Sequence, residues 1–571
     1  MSSLELGQEI AKLIFDSFAA YNDEFRTITQ TTRRCFEQRD WHAMRDAAKD
    51  RIELYDRSIG QALAAIEDRL GDRLHEEKIW EHCRSHYRAL LDDRIDRELN
   101  KTYYNSISRR VFKTVGVNRK IEFVEVEAGP IDHIRERVSI TRYGFDSSVG
   151  VACRRILEDH ALEAPWRDIG DCAAYIHGEL RRQLAAHGGT GAIEAAELVE
   201  PLFFRSTRAF IVGRLVLTEG SVPFLVALVH SPDGIEVDRV LTSTLVTSAL
   251  FSYSRSYFHV DVETVGDVVA FLREILPRKP IEELYATLGR AKQAKTERYR
   301  AIQRHMARCD EPFIVAPGSK GMVMAVFTLP SLDVVFKVIR DQFAPPKTVT
   351  HEEVREKYTH VYMHDRAGRL IDAQEFRELS FRRNRFTEPV LRELLEECGD
   401  RVSADGDDIV IHHLYIERQL IPLNLYVGDA DEAELERVII DYGQAIRDLA
   451  ATNIFPGDLL LKNFGVSSQG RVIFYDYDEL CPVTDCKFRK MPRPRNEIEE
   501  LSGEIWFEVG PDDIFPEQFV SFLGLQGDAL ELFKRHHDEV LTARFWREIQ
   551  SSLRDGKVFD IKPYQGGRTG F

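Results

Sequence analysis

The chain is 571 residues long, 43% hydrophobic and 30% charged, which is the composition of an ordinary globular protein with room for two to four domains. Its 77 basic and 94 acidic residues give a formal charge of −17, which disfavours a general nucleic-acid binder. No apolar run approaches the roughly 18 residues of a spanning helix, and the opening MSSLELGQEI has neither a basic nor an apolar leader region, so no membrane association and a cytoplasmic location are expected.

Residues 1–129 contain no proline, and their apolar positions recur at helical spacing. Ile10, Leu13, Ile14, Phe18 and Tyr21 form one stripe; Ile52, Tyr55, Ile59, Leu63, Ile66 and Leu70 a second; Ile79, Cys83, Tyr87, Leu91 and Ile95 a third. An antiparallel helical region follows, its stripes assigned to core. From Pro130 the texture changes. Val138 to Arg142 reads as a strand, Phe210 to Thr218 and Val222 to His230 as a hairpin turning through EGS, and Val237 to Val246 as a further strand. Residues 280–308 read as a charged helical connector leading to a boundary near Asp310. The eight cysteines are read as reduced thiols; only Cys481 and Cys486 are neighbours, at no recognised zinc spacing.

After the boundary comes FIVAPGSKGMVMAVFTLPSLDVVFKVIRDQF. Met322 to Thr328 and Val334 to Ile339 read as strands joined by LPSLD, the first entered through Gly318 and Gly321. Glycines there let backbone N–H groups approach a phosphate, and Lys320 adds a cation, although the loop is neither a Walker loop nor a full GxGxxG. Lys337 stands inside an apolar strand and requires an anionic partner, because an unpaired buried ammonium is costly. In kinases that partner is a nucleotide phosphate pair together with a helix glutamate; Glu352, Glu353 and Glu356 of the next helical segment are the candidates. His360 and His364, with Asp365 adjacent, read as a solvated or substrate-facing helix end rather than a metal face. Ile409 to Ile416 reads as a strand leading into a linker, Glu417 to Leu420, where a kinase recognises adenine.

The stretch Ile454 to Leu480 carries the densest chemistry. A turn presents Asp458, Lys462 and Asn463, and the strand Val472 to Tyr475 delivers Asp476 and Asp478. Oxygen donors at two such points suit Mg2+, which takes one or two carboxylates plus substrate phosphates. Two layouts compete. A kinase catalytic loop has an Asp, an Asn five residues on and a metal-binding Asp on the following strand end; Asp458, Asn463 and Asp476 match. A haloacid-dehalogenase phosphatase would use Asp476 as nucleophile, but Leu480 stands where that signature wants Thr or Val. Downstream, Lys487 to Arg495 (KFRKMPRPR) offers a basic patch for an acidic partner surface, through Arg489, Lys490 and Arg493.

VAPGSKGMVMAVFTLPS, VVFKVIRDQF, HDRAGRLID, YIERQLIPLN, FPGDLLLKNFG and FYDYDEL, in this order, resemble the bacterial isocitrate dehydrogenase kinase/phosphatase family over essentially the entire chain. PGD replaces the usual HRD and DYD the usual DFG, departures the family shares. The resemblance implies an α+β fold: a mostly helical regulatory domain with a small sheet (1–310), then a bilobal kinase-like domain (311–571; N-lobe about 311–416, C-lobe about 421–571). It implies reversible phosphorylation of a serine on NADP-dependent isocitrate dehydrogenase, which diverts isocitrate into the glyoxylate bypass. ATP/ADP, Mg2+ (with Mn2+ as substitute) and AMP as allosteric effector are the implied small-molecule partners, and a homodimer the implied assembly. By the same resemblance Ala316, Pro317, Gly318, Ser319, Lys320, Gly321, Met322 and Lys337 bind ATP, with Glu417, Gln419 and Leu420 at the hinge. Asp458 is the base, assisted by Lys462; Asn463 and Asp476 hold metal; Asp372 and Asp478 assist the phosphatase. A dedicated dehalogenase-type phosphatase and a nucleotide-binding pseudokinase scaffold are the alternatives.

Overall fold

The computed structural model describes the chain except residues 93, 125–137, 146–148, 161, 187–192, 253–257, 319, 346, 348, 365, 493–506, 511, 565, 567 and 569–571. Four helices open it: α1 (Ser3–Gln38), α2 (Trp41–Leu70), α3 (Glu77–Leu90) and α4 (Arg97–Phe112). Ser2 and Glu5 start α1 with a reciprocal capping box. The predicted stripes face the shared core, with Ile10, Ile14, Phe18, Ile59, Ile66, Ile79 and Cys83 buried. The third stripe ends at Leu91: α3 stops at Leu90, and Ile95, beyond it, is exposed.

A seven-stranded sheet follows, from β1 (Ile140–Gly144), β2 (Ile193–Val199), β3 (Phe203–Arg205), β4 (Arg208–Leu217), β5 (Gly220–Ser231), β6 (Gly234–Leu241) and β7 (His259–Val260), with α5 (Val149–Asp159), α6 (Ile169–Ala186), α7 (Thr244–Leu250) and α8 (Val265–Ile275) around it. The predicted hairpin is β4 with β5, in register from Arg208↔Val229 to Leu217↔Gly220. Gly220 takes φ +92°, the left-handed region that the tight turn demands. The strand expected to reach Val246 ends at Leu241 instead, because Ser243 caps α7 there.

The expected connector is two packed helices, α9 (Ile281–Thr287) and α10 (Ala291–Arg308). Their charges are buried in pairs rather than solvated: Arg300 lies 2.8 Å from Glu98 and 2.7 Å from Glu297, and Lys101 lies 2.9 Å from Glu98. The charge-rich sequence concealed this because Glu98, which joins Arg300 to Lys101, comes from α4.

The second half opens with a six-stranded antiparallel sheet in the order β11 (Gln374–Arg382), β13 (Asp408–Arg418), β10 (Val334–Ile339), β9 (Met324–Leu329), β8 (Ile314–Val315), with β12 (Val402–Asp405) also on β13. Helices α11 (His351–His364) and α12 (Glu388–Glu397) flank it. Then β14 (Ile421–Pro422), α13 (Leu423–Asp429), α14 (Glu432–Ala451), β15 (Phe464–Val466) and β16 (Val472–Phe474) lead to β17 (Lys487–Phe488), β18 (Asp513–Ile514), α15 (Gly527–His537) and α16 (Ala543–Arg554). One aromatic core, around Phe313, Phe327, Phe336 and Phe386, fills the first lobe; a second, around Tyr442, Phe464, Phe474 and Trp546, fills the helical lobe. The tail returns to the first half: Tyr564 donates to Asp238 Oδ2 at 2.7 Å and packs in the core beside Phe210. All eight cysteines are free thiols. Among the described residues no helix is long and apolar enough to cross a membrane.

Candidate active site

Between the two lobes lies a cleft of about 910 Å³. Of the residues expected there, Ala316, Pro317, Gly318, Lys320, Gly321, Met322, Lys337, Glu417, Gln419, Leu420, Asp458, Lys462, Asn463, Asp476 and Asp478 all line it. Ser319 lies outside the described residues, and Asp372 follows the lining residue Ile371.

The glycine loop joins β8 to β9. Gly318 sits at φ +114°, closed to other residues without strain, and a Cβ on Gly321 would stand 3.1 Å from Met324 O. Lys320 is not free for a phosphate here: its Nζ is 2.7 Å from Glu397 and 3.6 Å from Glu393 of α12. Arg340, at the exit of β10, pairs with the same two glutamates and donates to Gly321 O at 3.1 Å. Arg340, Glu393 and Glu397 thus hold the loop, a role that no local motif announced.

Lys337 finds its anion on the next strand. Its Nζ lies 2.8 Å from Glu417 Oε2 and donates to Tyr475 O at 3.1 Å. Pairing of Lys337 with Tyr415 and Val335 with Glu417 puts the ion pair diagonally across one face of the ladder. The expectation of a helix glutamate is therefore corrected: Glu352, Glu353 and Glu356 are exposed, because α11 turns Val354, Tyr358 and Val361 inward at helical spacing. Glu353 instead takes the N–H of Thr350 at 2.6 Å. Glu417 is also displaced from the hinge, since β13 runs to Arg418 and leaves Gln419 and Leu420 as the linker. Burial pushes the Glu417 carboxyl up, against the pull of Lys337.

The turn bearing Asp458 is fixed by Gly457, at φ +87°, where a Cβ would meet Glu479 Cβ at 2.6 Å. Asp458 Oδ1 accepts from the Leu460 N–H at 3.3 Å and from the Asn463 side-chain amide. Burial raises the Asp458 carboxyl above its ordinary range. The Tyr475 N–H donates to Asn463 O at 3.1 Å and the Tyr475 hydroxyl donates to Lys462 O, tying the turn to the end of β16.

Asp476 and Asp478 stand close enough to act on each other's charge. Burial, then the neighbouring Asp478, push Asp476 well above the carboxylate range. Burial acts on Asp478 too, but the hydrogen bond from Asp476 and the Lys347 ammonium at 2.7 Å hold it low. Lys347, also paired with Glu479, was not anticipated: it comes from an irregular loop with no motif. A carboxyl pair of this kind at the cleft, beside Asn463 whose amide N–H is spent on Asp458, fits a hard divalent cation.

Asp372 reaches this site through the backbone. Leu370 pairs with Phe474 as a parallel bridge, Phe474 N donates to Arg369 O at 2.8 Å and Ile371 N to Phe474 O at 3.3 Å, so both chains run on in one direction towards Asp372 and Asp476. Gln374 donates to Asp372 at 2.9 Å. Beneath the bridge, buried Arg369 holds Asp441 by two hydrogen bonds of 2.8 Å and Asp448 by another. Of the basic segment, Lys487 and Arg489 pair with Asp513, Lys490 is exposed, and Arg493 to Arg495 lie outside the described residues. His360 is half-buried, and the His364 side chain and Asp365 lie outside the described residues.

A two-lobed fold with a glycine loop, a strand lysine paired to a buried glutamate and an Asp–Asn–Asp set facing one cleft defines a protein-kinase-like domain. The family model "Isocitrate dehydrogenase kinase/phosphatase (AceK) kinase domain" matches residues 311–566, and the corresponding regulatory-domain model matches residues 11–310. The chain belongs to the isocitrate dehydrogenase kinase/phosphatase family. A relative of that description from Anaeromyxobacter sp. (strain Fw109-5) is 47% identical over 97% of this chain and 96% of its own; one from Xanthomonas campestris pv. campestris (strain 8004) is 44% identical with the same coverages. Among solved structures, "ROP18 kinase domain in complex with AMP-PNP and sucrose" aligns at 12% identity and a TM-score of 0.20, over 43% of this chain and 81% of that one, too low to carry an argument.

Proposed function

We propose that this chain is a bifunctional protein kinase and phosphatase that adds phosphate to, and removes it from, a serine of NADP-dependent isocitrate dehydrogenase, setting the flow of isocitrate between the citric acid cycle and the glyoxylate bypass. Residues 1–310 form the regulatory part and 311–571 the catalytic part, with AMP as effector, a homodimer as the assembly and the cytoplasm as the location. The observation that carries the reading is the convergence of Lys337, Asp458, Asn463, Asp476 and Asp478 on one cleft within a chain of this family.

In the forward direction, Lys337 offers its ammonium to the nucleotide phosphates while Glu417 keeps it extended across the sheet. Backbone N–H groups around Gly318 and Gly321 approach the same phosphates, and Gln419 and Leu420 border the base. Asp458, with Oδ1 engaged by Leu460 and Asn463, has its other oxygen to align the serine hydroxyl and accept its proton. Asp476 and Asn463 would hold Mg2+, or Mn2+ in its place, which supplies neutralisation of charge on the transferred phosphoryl group. In the reverse direction ADP occupies the same cleft, and Asp478 and Asp372 orient water or the phosphoserine. Support for this comes from the parallel bridge that brings Asp372 beside the Asp476 strand end.

Labelled ATP with isocitrate dehydrogenase, followed by a chase with ADP, tests the proposal. Label should enter the dehydrogenase and then leave it. A pseudokinase would bind nucleotide without labelling, and a dedicated phosphatase would give release only.

A further inference from the structure

At the junction between the two halves stands a group of donors that phosphoryl transfer does not use. His305 is in the last turn of α10, Cys309 is that helix's C-cap and Glu311 opens the segment leading to β8. One imidazole nitrogen, one thiol sulfur and one carboxylate oxygen from these three lie within 4.8 Å of one another, the one such group among the described residues. His305 Nε2 is 3.2 Å from Glu311 Oε2. Ser331, from the turn joining β9 to β10, donates its hydroxyl to the same carboxylate oxygen at 2.7 Å and lies 3.5 Å from His305 Nε2. The His305 and Glu311 side chains are only 17% and 19% exposed, so a bound ion would be largely shielded from water.

We propose that His305, Cys309 and Glu311 bind Zn2+ through Nε2, Sγ and a carboxylate oxygen, with a water molecule or the Ser331 hydroxyl in the fourth position. The donor types select the metal: Mg2+ and Ca2+ take oxygen ligands, whereas thiolate, imidazole and carboxylate together are a zinc set. Supporting groups surround the donors as they do in metal sites. The Glu311 N–H donates to Cys309 Sγ at 3.4 Å, orienting the sulfur. Arg385 donates to Cys309 O at 2.5 Å and to Glu311 O at 3.1 Å, fixing both ligand-bearing peptides. The Ser331 N–H, 3.2 Å from each Glu311 oxygen, orients the carboxylate. On binding, Cys309 gives up its thiol proton to solvent, and His305 carries its single remaining proton on Nδ1.

The ligands span the junction. α10 is anchored in the first half through Arg300 and Glu297, while Ser331 belongs to the hairpin that carries Lys337. Through Glu311, whose carboxylate Ser331 holds, the ion ties the end of α10 to the hairpin that carries Lys337, a structural role away from the cleft. The spacing H-x3-C-x-E is not a familiar zinc pattern, which is why the sequence did not announce it.

Full-length protein, stripped with a chelator and held in excess Mg2+ to fill the nucleotide site, is titrated with Co2+ and then Zn2+. One Co2+ per chain should give a near-ultraviolet thiolate-to-cobalt band that Zn2+ abolishes, and Zn2+ should raise the melting temperature. Cys309→Ser should lose the band and the Zn2+-induced rise, with affinity down by at least about 100-fold, the upper end of what losing even an outer partner costs. Cys481→Ser/Cys486→Ser, which removes the other thiol pair, should keep both. His305→Gln leaves the thiol in place and should weaken uptake similarly. A band that survives Cys309→Ser or disappears with Cys481→Ser/Cys486→Ser, or wild-type uptake by His305→Gln, overturns the proposal.

Discussion

Lys337 and Glu417 form a buried ion pair across two adjacent strands, Nζ to Oε2 at 2.8 Å, so the cation proposed to meet the nucleotide is held by the sheet rather than by a helix. Glu417→Gln should therefore lower kinase turnover by about 10-fold or more, since phosphoryl transfer depends on positioning and charge. Glu352, Glu353 and Glu356, changed together to Gln, should leave turnover within about 2-fold, as exposed substitutions do. Steady-state kinetics on both variants check this; equal losses would restore a helix partner.

Asp476, the proposed metal ligand, stands where an ionised carboxylate costs stability. Its carboxyl is pushed well up by burial and by Asp478, so its contribution to stability is full below the ordinary carboxylate pKa and is lost as pH rises through the raised value. Without metal, Asp476→Asn should melt above wild type at about pH 8, and the gap should shrink towards about pH 5. Mg2+ should raise the melting temperature of wild type but not of the variant, whose kinase activity should fall about 100-fold or more. Thermal melts across pH decide the point; a variant less stable than wild type at the higher pH would contradict it.

Arg369 holds the strand that delivers Asp476. Arg369→Met leaves Asp441 and Asp448 buried without their main cation, which should cost about 3–5 kcal/mol in urea unfolding. Although burial works against it, the arginines pull Asp441 down to about 2 from 3.8, so its stabilising share is present above 3.8 and lost as pH falls towards 2. The acid transition of the variant should lack that component; an unchanged unfolding midpoint would show that the triad is dispensable.

The regulatory half grips β13 on both sides of Glu417: Arg298 donates to Ile416 O at 3.2 Å, and Arg418 pairs with Glu283. Arg298→Ala removes a buried charge-assisted hydrogen bond, about 1.5–3 kcal/mol, so the melting temperature should fall, and loosening β13 beside Glu417 should raise KM for ATP. An unchanged KM would mean that the grip does not reach the nucleotide.

What the sequence made legible was local. The turn bearing Asp458 and Asn463, the strand lysine and the strand end with Asp476 and Asp478 each lie within a short span, and all line the cleft. What it hid was pairing between distant residues. Lys337 and Glu417 are neighbours only because β10 lies against β13; Lys320 is drawn to α12; Lys347 arrives from a loop without pattern. The helical stripes were readable because burial follows the 3.6-residue period. The buried charges of α10 were not, since Arg300 looks like a solvent residue until Glu98 is placed beside it.

The central claim is that one cleft serves both directions, and dephosphorylation by Lys337→Ala tests it most directly. Phosphorylated isocitrate dehydrogenase is supplied with ADP and Mg2+, and phosphate release is followed against wild type. The account predicts that release falls together with kinase turnover, each by about 100-fold or more. Release at the wild-type rate, and without nucleotide, would contradict it and place the phosphatase elsewhere.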